Sequence, residues 1–374
     1  MKTTNLLFKK LDNKTVVWFQ YNNQYIVVED LVATILQDLT HGKKQENIAN
    51  FLVVQIQIPK EKAIKFVKDV SNLLMDSSKV IENRIPTVTI PKRFETTKYY
   101  QINSFIFKID FASEYEESLV HPKFAHLEIN KPTKSNFHYQ VFSDDNSISF
   151  LVNDTEIGTW SLKEVHFFQG KFSMQLVQHI HQKEEDKWLG VFHASAISNG
   201  KNSILFLGDS GNGKSTSLAI LQANGFTCLA DDFVPMDAEK QEVYSFPSSI
   251  SIKRNSLETL LPIYPELATS AEYHFKKLNK IVRFLPPNNA DYTRHLPCKA
   301  LIFIEYQKSS DLIIKKIDKM SAFQQLVPDS WLSPIPKNAS TFLDWFTNLP
   351  CYQLTYSNNQ KMVKTVAKIF ANDL

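Results

Sequence analysis

Short alternations of apolar and polar residues open the chain. Val16–Gln20 and Tyr25–Val28 are β-prone runs separated by Asn22-Asn23, which predicts a hairpin. Leu31, Ile35, Leu36 and Leu39 then recur at helical spacing, with Gly42 where a helix stop belongs. A second helix is expected over Gln45–Val54. A third starts at Pro59 and puts Ala63, Phe66, Val67, Val70, Leu73 and Leu74 on one face. Residues 1–85 therefore read as a small winged-helix-like module. Residues 86–182 carry aromatic and β-branched runs at Tyr99–Phe111, Phe137–Phe142 and Ser147–Val152, which predict antiparallel strands, followed by a helix over Phe172–Gln182.

The pattern changes after Trp188. Val191–Ile197 and the fully apolar Ser203–Leu207 are expected strands. A glycine-rich stretch follows, then a helix from Lys214 to about Asn224, then a strand Thr227–Ala230 that ends in Asp231-Asp232 and is expected beside Ser203–Leu207. Ala300–Glu305 is a further buried strand, and Lys361–Asn372 an amphipathic closing helix. Strand, loop, helix, strand and acidic pair is the order of a nucleotide-binding α/β core. The fold class expected is α/β, α+β overall, with that core in residues 183–374.

Composition narrows the function classes. The chain has 374 residues, enough for two or three domains. Its net charge is +3 with no dense Lys/Arg tract, so a nucleic-acid partner is not expected. No run reaches the length of a membrane helix, and Met1–Lys10 lacks the apolar core of a secretory signal. Cys228, Cys298 and Cys351 are far apart and form no C-x-x-C pair, which fits a reducing compartment. These features predict a soluble, cytoplasmic protein, with a homo-oligomer left open. His179 and His181, two apart on a helix, diverge and do not make a metal pair.

Glycine carries the sharpest signal. The chain has nine, and five of them (Gly200, Gly208, Gly211, Gly213, Gly225) fall between positions 200 and 225. Gly208-Asp209-Ser210-Gly211-Asn212-Gly213-Lys214-Ser215 matches G-x-x-x-x-G-K-[ST] in full, and Thr216 follows it. Average residue frequencies make a chance match in a chain this long a matter of about 1–2%. The glycines free consecutive backbone N–H groups to cradle phosphate oxygens, and the helix that begins there adds its positive end. Lys214 is expected on the β and γ phosphates of ATP and the Ser215 hydroxyl on Mg²⁺. Asp231 and Asp232 supply carboxylates for the metal, or for a proton leaving an attacking hydroxyl.

The run His193-Ala194-Ser195-Ala196-Ile197, the loop Gly208–Ser215 and the run Leu229-Ala230-Asp231-Asp232-Phe233-Val234 together resemble the catalytic core of the HPr kinase/phosphorylase family, which has the phosphoenolpyruvate carboxykinase-like fold. The resemblance is close over about 45 residues and weaker over roughly 185–310. It implies an ATP- and Mg²⁺-dependent kinase. Asp232 matches the proton acceptor, Asp231 a metal support, and His193 a catalytic histidine near the transferred phosphoryl. Lys253, Arg283 and Arg294 are further cationic candidates. The family's downstream Glu-Ile-Arg-Gly-like signature is absent, and Glu258 lies near its place in a different context. Neither HPr as substrate nor phosphorylase activity is therefore implied. Residues 1–85 resemble the small peptide-binding chaperones of pyrroloquinoline quinone biosynthesis, which implies capture of a peptide or protein substrate by strand addition. The expected reaction is phosphorylation of a Ser or Thr hydroxyl. A small-molecule kinase on the same core and a non-catalytic, nucleotide-gated binding module are the alternatives.

Overall fold

In a computed structural model, residues 6–76, 89–275 and 280–373 are described. Helices and several mixed sheets alternate along the chain, an α+β organisation. The chain divides into two compact units that do not follow chain order: residues 1–83 with 317–348, and residues 84–316 with 349–374.

In the first unit, β1 (Leu6–Leu11), β2 (Lys14–Phe19) and β3 (Gln24–Val28) form an antiparallel meander. The hairpin expected from Asn22-Asn23 is there. It turns on Asn23, whose φ of +55 suits an Asn side chain able to bond locally. That side chain accepts from Trp18 Nε1 at 2.8 Å and donates to Leu332 O at 2.7 Å. Helices α1 (Asp30–Thr40), α2 (Gln45–Ile56) and α3 (Lys60–Asp76) follow. They bury Ile35, Leu36, Ile48, Leu52, Ala63 and Val67 against Val17 and Phe19. The other face of the sheet is covered too. Tyr25, opposite Trp18 in register, packs on Phe342 and Phe323, with ring centroids 5.6 and 6.2 Å away. Those two rings belong to helices Pro336–Asn348 and Lys319–Leu326. A sheet buried on both faces reads as a continuous apolar run, and Val16–Phe19 is one.

The second unit holds two larger sheets and one small one. The first contains β4 (Thr96–Ile102), β5 (Phe105–Phe111), β6 (Glu128–Ile129), β7 (Phe137–Ser143), β8 (Ser147–Val152) and β9 (Thr155–Ser161), in the order β6-β4-β5-β7-β8-β9. The expected strands are present, but they are not all antiparallel. β5 and β7 run parallel because α4 (Glu114–Phe124) makes a crossover between them. The helix expected over Phe172–Gln182 starts earlier, as α5 (Val165–His181), and contacts β8 and β9.

The second large sheet carries the glycine-rich loop. Its strands are β10 (Trp188–Phe192), β11 (Ser195–Ser198), β12 (Ser203–Leu207), β13 (Thr227–Asp231), β14 (Val234–Asp237), β15 (Glu242–Tyr244), β19 (His295–Tyr306), β20 (Leu312–Lys316) and β21 (Cys351–Tyr356). The order runs β13-β11-β12-β19-β15-β14-β10, and β21 joins β19 to β20. β12, β19 and β21 are parallel neighbours. Helices α6 (Lys214–Ala223) and α8 (Asn359–Ala371) share one core with them through Leu218, Leu221, Ile302, Met362 and Val366. β16 (Ile250–Lys253), β17 (Tyr273–Phe275) and β18 (Lys280–Leu285) form a three-stranded sheet in the order β16-β18-β17, and the short α7 (Leu257–Leu260) follows β16. Among the described residues no helix is long and apolar enough to cross a membrane.

Two local expectations need correction. Val191–Ile197 is not one strand: it breaks at His193-Ala194, where Ala194 N–H donates to Phe192 O at 2.9 Å and closes a three-residue turn. The strand that ends in Asp231 does not lie beside the loop strand either, because β11 is inserted between β13 and β12. Both follow from the same event. After the turn the chain enters the sheet as β11, one strand in from its edge, and occupies the place next to β12.

Candidate functional site

The loop between β12 and α6 is fixed from behind by the strand next to it. Asn212 O accepts from Tyr306 N–H at 3.1 Å, and Asn212 N–H donates to Asp209 O at 3.2 Å. Gly208, Gly211 and Gly213 have φ of +133, +111 and +92. Space constrains two of these glycines as well, Gly208 most tightly. A Cβ on Gly208 would stand 2.8 Å from Ile304 O, and one on Gly213 would stand 3.3 Å from Tyr306 Cβ. Gly213 is the N-cap of α6 and offers no side chain to its first-turn amides. First-turn N–H groups have no acceptor within their own helix, and with the helix dipole they make its start electropositive toward an anion. The start of α6 is held by Ser217, whose hydroxyl lies 2.9 Å from Gly213 O and 2.7 Å from Tyr356 Oη. Lys214 is buried at the base of the loop, and its ammonium donates to Gly208 O.

The acidic pair divides its work. Asp231 ends β13 and is 2% exposed. Its carboxylate accepts from Ser195 Oγ at 2.5 Å, from the Ser251 N–H at 3.1 Å and from Ser215 Oγ at 2.9 Å. Its backbone oxygen takes the Ser248 hydroxyl at 3.0 Å. Burial raises the Asp231 pKa to about 6, and the charge of Asp232 adds to the rise against the three donors. Asp232 follows with φ +64, a left-handed conformation that Asp tolerates better than most residues. The chain turns there, and Asp232 lines the cleft.

That cleft encloses about 550 Å³ of space, part of it open to solvent. His193, Asp209, Ser210, Gly211, Gly213, Lys214, Ser215, Thr216 and Asp232, all singled out from the sequence, line it together. Gly208 and Asn212 form the anchored back of the loop, and Asp231 lies buried beneath Ser215. Lys253 also lines the cleft and donates to Ser210 Oγ at 2.8 Å. Arg283 and Arg294 take no part. Arg283 caps the carbonyls of Leu267, Ala268 and Ser270, and Arg294 stands 3.5 Å from Asp291. Glu258, on α7, does not line the cleft. His179 stacks on Phe137 and His181 packs edge-on to Tyr244, so each belongs to a different aromatic cluster.

Sequence reading missed Ser251, Asn255 and Ser256 on the cleft wall and Ser195 on Asp231. The serine-rich run Ser245–Ser256 was the available signal. Thr216 Oγ1 donates to Ser256 Oγ at 2.7 Å, which ties the first turn of α6 to that wall.

The donor set can be tested against the groups the loop would hold. Left-handed glycines, uncapped amides and a buried lysine suit a polyphosphate. A serine hydroxyl and two adjacent carboxylates suit Mg²⁺, which binds through one or two carboxylates and keeps phosphate oxygens and waters as its other ligands. Among the described residues there is no cluster of three His, Cys, Asp or Glu side chains of the sort a closed protein metal site uses. No protein-family model matches the chain, and no curated protein matches it.

Proposed function

We propose that this chain is an ATP- and Mg²⁺-dependent kinase that transfers the γ-phosphoryl group to a Ser or Thr hydroxyl of a peptide or protein, on a core of the HPr kinase/phosphorylase type. The observation that carries this reading is the meeting of Lys214, Ser215 and Asp232 in one cleft, with Asp231 buried beneath the serine. MgATP supplies the activated phosphoryl group and the charge that draws electrons from it.

The chain's own groups then have distinct tasks. Loop amides and the Lys214 ammonium hold the phosphate oxygens, so catalysis rests on positioning and charge. Ser215 and Asp231 hold the metal. Asp232, at the cleft surface, accepts the proton of the acceptor hydroxyl. His193 and Lys253 face the same space and add positive or hydrogen-bonding partners for phosphoryl oxygens. Residues 1–83, with their three-stranded sheet, are the part of the chain assigned to tether a peptide substrate by strand addition.

Mass spectrometry of candidate peptides after incubation with the intact chain, ATP and Mg²⁺ tests the reading. A mass gain of one phosphoryl group on a hydroxyl residue is expected. Lys214→Ala should lower transfer by on the order of a hundredfold or more. Unchanged transfer in that variant would end the assignment of the site.

A further inference from the structure

The cleft leaves one part of a nucleotide unaccounted for. Its lining is almost entirely small and polar, and among those residues His193 carries the only ring. A purine needs a flat, partly apolar face. The sheet order offers one on the opposite flank of the loop. β11, which begins just after His193, and β13, which ends just before Asp232, lie on one side of β12, while β19 lies on the other. β12, β19 and β21 are parallel, and ligands of α/β sheets sit beyond the carboxyl ends of such strands. At the carboxyl end of β19 stands Tyr306, 43% exposed.

Tyr306 is fixed to the loop rather than merely near it. Its N–H donates to Asn212 O at 3.1 Å, and its Cβ lies 3.3 Å from where a side chain on Gly213 would begin. Its ring is held edge-on to Tyr356, at 5.6 Å between centroids and 80° between planes. Tyr356 in turn reaches Ser217 at the start of α6. One exposed aromatic ring is thus set in a defined orientation beside the last glycine of the loop.

We propose that Tyr306 is the platform for the nucleotide base. The base stacks on its ring on the β19 flank, the phosphates cross the loop, and the acceptor enters from the Asp232 flank. This inference rests on the nucleotide reading above and adds a residue that discriminates a nucleoside triphosphate from a bare polyphosphate.

Titration calorimetry on the intact chain, with Mg²⁺ present, separates the two parts of the ligand. The ligands are ATP and inorganic tripolyphosphate; the proteins are the wild type, Tyr306→Ala, Tyr306→Phe, Tyr306→Trp and Lys214→Ala. Loss of the ring should weaken ATP on the order of tenfold while tripolyphosphate stays within about twofold. Tyr306→Phe and Tyr306→Trp should keep ATP within about threefold, and Lys214→Ala should lose both ligands. Should the alanine variant fail to fold, Tyr306→Leu keeps bulk without a π face and carries the same test. ATP binding unaltered by loss of the ring, an equal loss of both ligands, or a phenylalanine variant as weak as alanine would each overturn the base platform. So would a wild type that binds ATP no more tightly than tripolyphosphate, with the phosphate assignment left standing. A wild type that binds neither ligand would remove both proposals.

Discussion

Ser215 donates its hydroxyl hydrogen to Asp231, with Oγ 2.9 Å from one carboxylate oxygen and 3.2 Å from the other. The first turn of α6 and the end of β13 are thereby joined across the strand between them. Because Asp231 is buried and has Asp232 as its neighbour, its proton affinity is raised, with a pKa of about 6. A divalent ion competes for the same oxygens with that proton.

The pH dependence follows from that competition. Mg²⁺-dependent nucleotide binding should be weak at pH 5 and rise through about pH 6 to a plateau near pH 7, read by titration calorimetry at each pH. Stability runs the other way. The folded chain holds the Asp231 proton more tightly than the unfolded chain does, so stability falls as pH rises from about 4 to about 6 and is level above that. The drop is on the order of 3 kcal/mol. Asp231→Asn should remove that fall, and should lose Mg²⁺-dependent binding while keeping or gaining urea stability at pH 8. A stability curve identical to that of wild type would show that Asp231 is not the group involved.

Gly208→Ala tests the loop's backbone. At φ +133, with a carbonyl oxygen 2.8 Å from the new Cβ, the substitution should cost about 1–3 kcal/mol in urea unfolding. Gly200→Ala shares a positive φ but has nothing within 4 Å, and so reports the backbone cost alone. The alanine at 208 should therefore be the more destabilising of the two, and only it should weaken tripolyphosphate binding.

His126→Ala tests the wall of the cleft from a distance. His126 Nδ1 lies 2.9 Å from Ser249 Oγ, and Ser249 N–H donates to Lys123 O at 2.8 Å. The residues on either side of Ser249 are Ser248, whose hydroxyl meets Asp231 O, and Ile250, the first residue of the strand that carries Ser251. Burial lowers the His126 pKa to about 4, so the ring is neutral at ordinary pH. Its removal should lower phosphoryl transfer on the order of tenfold with the KM for ATP within about twofold. Its stability cost should be about 1 kcal/mol. Loss of ATP affinity equal to the loss of turnover would argue against this positioning role.

Phe342→Ala probes the first unit. Phe342 is fully buried and faces Tyr25, so its loss should cost about 3–5 kcal/mol locally. Hydrogen exchange should quicken at residues 14–28 and 319–346 while 203–231 stay protected. Equal quickening in all three segments would contradict the division into units.

The sequence made some of this legible. Ser203–Leu207, the glycine-rich loop and the helix after it were readable because each is specified locally, by an apolar run, by glycines at fixed spacing and by helical periodicity. The Asn22-Asn23 hairpin was readable for the same reason. What escaped depends on pairing between distant segments. Nothing near Thr227–Asp231 says that β11 will take the place beside β12. The strand Leu6–Leu11 is not legible in the sequence, because Lys9 and Lys10 leave it neither a continuous apolar run nor an alternating one. Ser251 and Ser256 look like loop serines until β16 brings them to the cleft. Residues 317–348 carry ordinary helical patterns that do not announce which sheet they will cover.

The detour through those residues has a consequence for synthesis. The sheet of the first unit has been translated by residue 28, yet Phe323 and Phe342, which cover Tyr25, are some three hundred residues further along the chain. Domains made during translation ordinarily mature in the order in which they emerge from the ribosome. Here the segment that appears first must wait, one face of its sheet bare, until nearly all of the second unit has been made.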